Sequence, residues 1–179
     1  MIREFSAKSK PSNNKARALF IICMSGSFAF VLASTFLSLY KGIISLVGVG
    51  LFAVALVLYA KYISPIYFYD VTFDSENTPI FVVRQQTGKK ISTLCRINLA
   101  DIVRIEKQTS KERRAHKTPM GVVKYSYLPT LDPAVAYRIT LRSRYEKAEI
   151  LIESSEEFAE LLMSYSRQAR EERTDDDEY

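Results

Sequence analysis

Histidine is almost missing from this chain: there is one, His116, and only two cysteines, Cys23 and Cys95, in 179 residues. Metal centres need clustered histidine, cysteine and carboxylate ligands, and acid/base catalysis needs titratable groups at matched spacing. Neither pattern occurs, so no metal site, cofactor or catalytic pair is expected. A glycine-rich phosphate loop is also lacking; Thr87-Gly88-Lys89-Lys90 reads as a hairpin turn. Cys23 lies in an apolar run and Cys95 in a β-like one, surroundings too different for a disulfide. With Leu94 and Ile97 beside it, Cys95 reads as packing. The chain is expected to be non-enzymatic, with no small-molecule substrate.

What the chain has in quantity is apolar sequence. Residues 18–40 run 23 positions without a charge, and residues 43–62 carry only Lys61. As helices rising about 1.5 Å per residue they measure roughly 34 and 30 Å, matching a hydrocarbon core of about 30 Å. Each is expected to be a transmembrane helix, joined through Tyr40-Lys41-Gly42 as an antiparallel hairpin. A secretory signal has a shorter apolar core followed by a small-residue cleavage site. Here a second span starts at once, so the hairpin reads as an uncleaved anchor. Ser25, Ala29 and Ala33 repeat every four residues on the first span, and Gly48 and Gly50 sit on the second. These are the candidate helix-packing positions, because small residues let helices approach in lipid. Tyr40, Tyr59, Tyr62 and Tyr67 suit an interfacial aromatic belt. No charge lies at the centre of either span, where an ion path would place one, so transport by the hairpin alone is not expected.

Charge sets the orientation. Residues 1–17 carry five basic side chains and one acid, against Lys41 alone at the turn. Basic residues beside a span stay on the cytoplasmic side. Two spans then bring residues 66–172 back to that side, and the chain is expected in the cell (inner) membrane, with both ends cytoplasmic. Segment 1–17 is poor in apolar residues and is expected to be flexible. So is the acidic end, 173–179.

After Ser64-Pro65 the pattern switches to period two. Seven β-like runs follow, at 67–73, 80–85, 91–97, 101–107, 122–127, 135–142 and 147–153, separated by turn-forming stretches. Regular short strands of this kind predict an antiparallel sandwich or barrel. A helix closes the domain. Ser154 and Glu157 read as a capping box, and Phe158, Leu161, Leu162, Tyr165 and Ala169 fall on one face. The fold class is therefore membrane-anchored α+β.

Seven strands and a capped amphipathic helix, opened by Tyr69-Asp70-Val71-Thr72-Phe73 and with Ile97-Asn98-Leu99-Ala100-Asp101-Ile102 before the fourth strand, resemble the pleckstrin-homology-like (PH-like) fold. Following a membrane hairpin, they look like the small bacterial membrane proteins that carry such a domain. No reaction is assigned to that family, so the resemblance implies binding or scaffolding. Its lipid-binding relatives concentrate basic residues between the first two strands. Here that loop is Asp74-Ser75-Glu76-Asn77, and phosphoinositide binding does not carry over.

The densest charge is the stretch holding Arg104, Lys107, Lys111, Arg113, Arg114, His116 and Lys117. Near an anionic leaflet each basic group contributes about 1 kcal/mol, so these residues are candidate contacts for lipid headgroups or a protein partner. An exposed loop that merely aids solubility is the plain alternative. No aromatic platform is interleaved with the charges, so nucleic acid is not expected. A second cluster, Arg138, Arg142, Arg144 and Lys147 with Glu146 and Glu149, reads as pairing on a solvated face. The expected function is presentation of a binding domain at the membrane surface. The alternatives are an accessory subunit that docks through the hairpin and, third, an unrecognised membrane-bound enzyme.

Overall fold

A computed structural model describes residues 4–9, 14–37, 40–142 and 147–176. Two compact units divide the chain, the apolar hairpin and a β-rich domain.

The hairpin consists of α1 (Asn14–Phe36) and α2 (Lys41–Leu58), the latter continued by a π-helical turn, Tyr59–Ile63. Both are long and apolar enough to cross a membrane, and little of either is buried. Ile22, Phe28 and Leu46 are each about two-thirds exposed or more (65%, 67% and 72%), which water would penalise and lipid would not. Helix α1 begins four residues before the expected span. The hydroxyls of Ser34 and Thr35 bond back to the carbonyls of Val31 (2.7 Å) and Leu32 (2.6 Å), which satisfies them without water. The π-helical turn carries Tyr59, Lys61 and Tyr62, and Lys61 lies over the Tyr62 ring, 5.4 Å from its centroid.

The β domain holds eight strands among the described residues, in two four-stranded sheets. The first has the order β1 (Phe5–Lys8), β2 (Pro65–Phe73), β3 (Pro79–Thr87), β4 (Lys90–Asn98). The second runs β5 (Ile102–Thr109), β7 (Val135–Arg142), β8 (Lys147–Ile152), β6 (Val122–Tyr127). The extra strand is β1. Segment 1–17, expected to be flexible, places Phe5 opposite Val71 and Lys8 opposite Phe68 in an antiparallel ladder. Residues 1–3 and 10–13 lie outside the described residues. Asp70, nearly buried, takes a hydrogen bond from Ser6 and an ion pair from Arg84 (2.9 Å), stitching β1, β2 and β3 together.

The sheets are not closed into a barrel, and one pair is not antiparallel. β6 runs parallel to β8, with Val122 opposite Lys147 and Tyr127 opposite Ile152. Parallel neighbours require a crossover. β6 and β8 are connected through β7, and β5, also antiparallel to β7, is parallel to β6, so residues 110–121 cross the sheet from β5 on one edge to β6 on the other. They include α3 (Ser110–Ala115), capped by reciprocal bonds between Thr109 and Glu112. These bonds hold the Glu112 carboxyl below the usual carboxylate range.

Helix α4 (Glu156–Asp176) packs across the core through Phe158, Ala159, Leu162 and Ala169. The expected cap shifts by one residue: Ser155, not Ser154, accepts from the Phe158 amide at 3.2 Å. That phase buries Phe158 among Phe5, Tyr69 and Phe81, at ring separations of 5.6 to 6.3 Å. Asp175 and Asp176, read as part of a disordered tail, belong to α4, and 177–179 lie outside the described residues. The Tyr69 hydroxyl joins the sheets from within, donating to the Tyr127 carbonyl (2.9 Å) and accepting from the Glu153 amide (3.3 Å). Burial pushes its ionisation well above the ordinary phenol range.

Two variants test whether β1 is part of the fold. Phe158→Ala is expected to cost about 3–5 kcal/mol, the usual price of an emptied aromatic core position. Phe5→Ala should cost about 1 kcal/mol through its ring contact, although residue 5 precedes both spans. Urea titration of the detergent-solubilised chain, followed by circular dichroism, measures both; an unchanged Phe5→Ala midpoint would mean that β1 is not docked.

Candidate functional site

The basic stretch forms a strap over the outer face of the β5–β7–β8–β6 sheet, and most of its charge is used internally. Arg113, only 11% exposed, pairs with Asp132 (2.8 Å) and donates to the Pro133 carbonyl (3.0 Å). Arg114 holds the other Asp132 oxygen at 2.6 Å, and Ser110 donates to the same carboxylate at 2.7 Å. Arg104 pairs with Glu106 and Lys107 with Glu156, both at 2.7 Å. Lys111 and Lys117 are exposed and make no ion pair among the described residues. Of the seven candidate contacts, then, two lysines point free charge at solvent.

His116 is the pin of this strap. Its Nε2 lies 3.0–3.1 Å from both carboxylate oxygens of Glu149, and its Nδ1 faces Arg138 Nη1. A guanidinium only donates, so Nδ1 accepts and the ring proton resides on Nε2, directed at Glu149. Arg138 also pairs with Glu106 through Nη2, and the side-chain amide of Gln108 lies beside the same guanidinium. Gln108 and Glu149 are each 5% exposed. The second basic cluster was expected on a solvated face; the strap covers that face, so Glu149 and Arg138 are interior groups. Arg144 and Glu146 lie outside the described residues.

In the hairpin the packing face is offset from the expected one. Ser27, Ser34, Gly48 and Ala55 are buried, while Ser25 and Ala29 are exposed and Ala33 is half-buried. A Cβ at Gly48 would lie 3.2 Å from Val31 and 3.3 Å from the Ser27 carbonyl, so this glycine sets the approach of the helices. A Cβ at Gly50 would meet open space.

Nothing in the amino-acid order signals the groove at the open side of the β domain. β4 and β6 are edge strands, each paired on one side only among the described residues. Between them lies a cavity of about 330 Å³, lined by Leu94, Cys95 and Ile97 of β4, Tyr125 and Tyr127 of β6, and Ile150 behind. The two tyrosine rings stack 6.4 Å apart at 5°. Burial raises the Cys95 thiol above its ordinary range, which makes it a poor nucleophile. Arg96 stands exposed on the rim without an ion pair among the described residues, while Asp101 is held by Arg173 at 3.1 Å. The groove is apolar at its base and positive at its edge.

Among the described residues no cluster of three or more histidine, cysteine or carboxylate side chains is placed to hold a metal. The chain matches no protein-family model, no curated protein and no solved structure.

The strap's cations should behave as structural groups. Glu149→Ala leaves Arg138 and His116 facing a void and is expected to cost about 3–5 kcal/mol. Lys111→Ala and Lys117→Ala should leave the unfolding midpoint where it is. Equal tolerance of all three substitutions in a urea titration would refute the strap arrangement.

Proposed function

We propose that the chain is a multi-pass, non-enzymatic protein of a bacterial inner membrane that holds a PH-like domain at the cytoplasmic face to bind a partner protein. The observation that carries this reading is the pair of open strand edges, β4 and β6, flanking an apolar groove. An open edge presents unmatched backbone N–H and C=O groups, which folds either cover or use to add a strand from another chain. The occupant that fits is an extended segment of a partner. Its apolar side chains would alternate toward Leu94, Ile97 and Tyr125, and its acidic ones toward Arg96 and the exposed Lys124.

Two sheets and a helix across the core support the PH-like assignment; the parallel β6–β8 pair is a departure from it. The basic residues of 1–17 support the cytoplasmic orientation. Pairing of β1 with β2 supports a common side for the two ends, because these strands flank the hairpin in sequence. Lipid binding through the strap has less support, since Arg113 is engaged with Asp132.

A photo-crosslinking amino acid at Leu94, in native membranes, tests the groove. The expected result is one discrete heavier species, absent when the crosslinker replaces Ser75 and lost when Ile97→Arg is added. Crosslinking at Leu94 to lipid alone, to a second copy of the chain, or no more strongly than at Ser75, would overturn the reading.

A further inference from the structure

The chain enters the β domain with almost no slack. One residue, Ser64, separates the π-helical turn ending at Ile63 from Pro65, where β2 begins. β2 therefore starts where the chain leaves the second apolar helix. β2 and β3 are nine residues each, linked by a tight turn at 74–78. In that turn the Asp74 amide donates to the Thr78 carbonyl at 2.9 Å and Asn77 takes φ 59°. Strands of equal length joined this way end where they began, so β3 returns to the span-linked end. The β3–β4 tip lies there too. β1 runs toward the same end, with Lys8 opposite Phe68 near the start of β2.

The tip is built to be tight and exposed. Thr87 pairs with Lys90, leaving Gly88 and Lys89 as a two-residue loop with Gly88 at φ +61°. Glycine at the first central position is what a type II′ hairpin requires. Lys89 and Lys90 are exposed, and next to them Ile91 is 58% exposed. No carboxylate occurs in 84–100 or in 58–69, whereas Asp74 and Glu76 occupy the turn at the opposite end of the sheet and Asp101 follows β4 there. The sheet is thus polarised along its strands, positive at the end that continues into the span and acidic at the other.

We infer that the β3–β4 tip is a contact site for anionic phospholipid headgroups, with Lys89 and Lys90 supplying charge and Ile91 an apolar anchor. The inference goes beyond the groove reading and rests on the hairpin spanning a bilayer. Basic groups tethered beside an anionic surface accumulate attraction additively and need no enclosed pocket. An aliphatic side chain between them gains by entering the headgroup boundary. The strap, whose Arg113 and Arg114 are engaged by Asp132, is not needed for it. The acidic 74–78 turn is the natural control, because like charge holds it off the same surface.

The test uses the full chain in nanodiscs, with Cys23→Ala and Cys95→Ala and a single cysteine at Thr87 or at Ser75 carrying an environment-sensitive fluorophore. Quenching by lipids spin-labelled near the headgroup reports contact. With phosphatidylglycerol mixed into phosphatidylcholine, the probe at 87 is expected to be quenched and the probe at 75 not. Adding Lys89→Ala and Lys90→Ala should cut the ratio of contacting to free domain about 30-fold. Molar salt should do much the same, because it shortens the screening length to about 3 Å. Quenching at 87 that is unchanged in pure phosphatidylcholine, or indifferent to both substitutions, would overturn the headgroup site. So would quenching at 75, or at neither position. A chain that does not enter nanodiscs at all would instead overturn the membrane reading, and the groove's crosslinks would stand or fall separately.

Discussion

The hydrogen bonds between β1 and β2 are the constraint on which the rest depends. They join Phe5 to Val71 and Lys8 to Phe68, with the whole apolar hairpin as the loop between them. Both helices of that hairpin are long and apolar enough to cross a bilayer, and a chain that did so twice would have its paired strands, β1 and β2, on one side. The same pairing puts Lys8 at the end of the first sheet where β2 begins. Ser6, Asp70 and Arg84 reinforce it on one face, and Phe5 against Phe158 reinforces it on the other. Loop closure over such a length costs only slowly growing entropy, so a four-residue strand with good partners suffices.

The second sheet solves a different problem. Because β6 runs parallel to β5 on the opposite edge, residues 110–121 must cross the sheet, and a strap so rich in cations needs counter-charges beneath it. Asp132 takes Arg113 and Arg114, and Glu149 takes His116, which also faces Arg138, itself held by Glu106. A buried network of this kind is costly unless every member is satisfied. Its return is placement: it pins the strap and so locates β6. The position of β6 in turn leaves the groove beside β4 open. An interior ion network and an exposed apolar groove are thus two consequences of one strand direction.

Much of this was legible in the amino-acid order and some was not, for physical reasons. Uninterrupted apolar length marks α1 and α2, both of which are long and apolar enough to cross a bilayer. Alternation marks most of β2 to β8, although β4 and β6 reach the core only through partly buried residues such as Cys95, Ile97 and Tyr127. The stripe at Phe158 and Leu162 marks α4. β1 was hidden because Phe-Ser-Ala-Lys is too short to carry a period, and its partner lies beyond two helices. The parallel β6–β8 pair was hidden because a strand's direction is decided by partners, not by its own residues. The internal use of Arg113 and Arg138 was hidden for a related reason: their counter-ions, Asp132 and Glu106, are close only after folding. Lys89 and Lys90 were visible as a turn. Their place at the span-linked end needed the sheet.

The most direct measurement of the central claim is where residues 4 and 120 lie relative to the membrane. Glu4 begins the segment that forms β1, and Met120 is fully exposed in the strap, well beyond the second span. Single cysteines at each, in chains without Cys23 and Cys95, can be challenged in intact cells with a membrane-impermeant thiol reagent and again after lysis. Protection of both in intact cells and labelling of both after lysis is the predicted result. Labelling of one but not the other in intact cells would contradict the shared sheet and the two-span hairpin together. Labelling of both would keep the shared sheet but place the domain on the outer side.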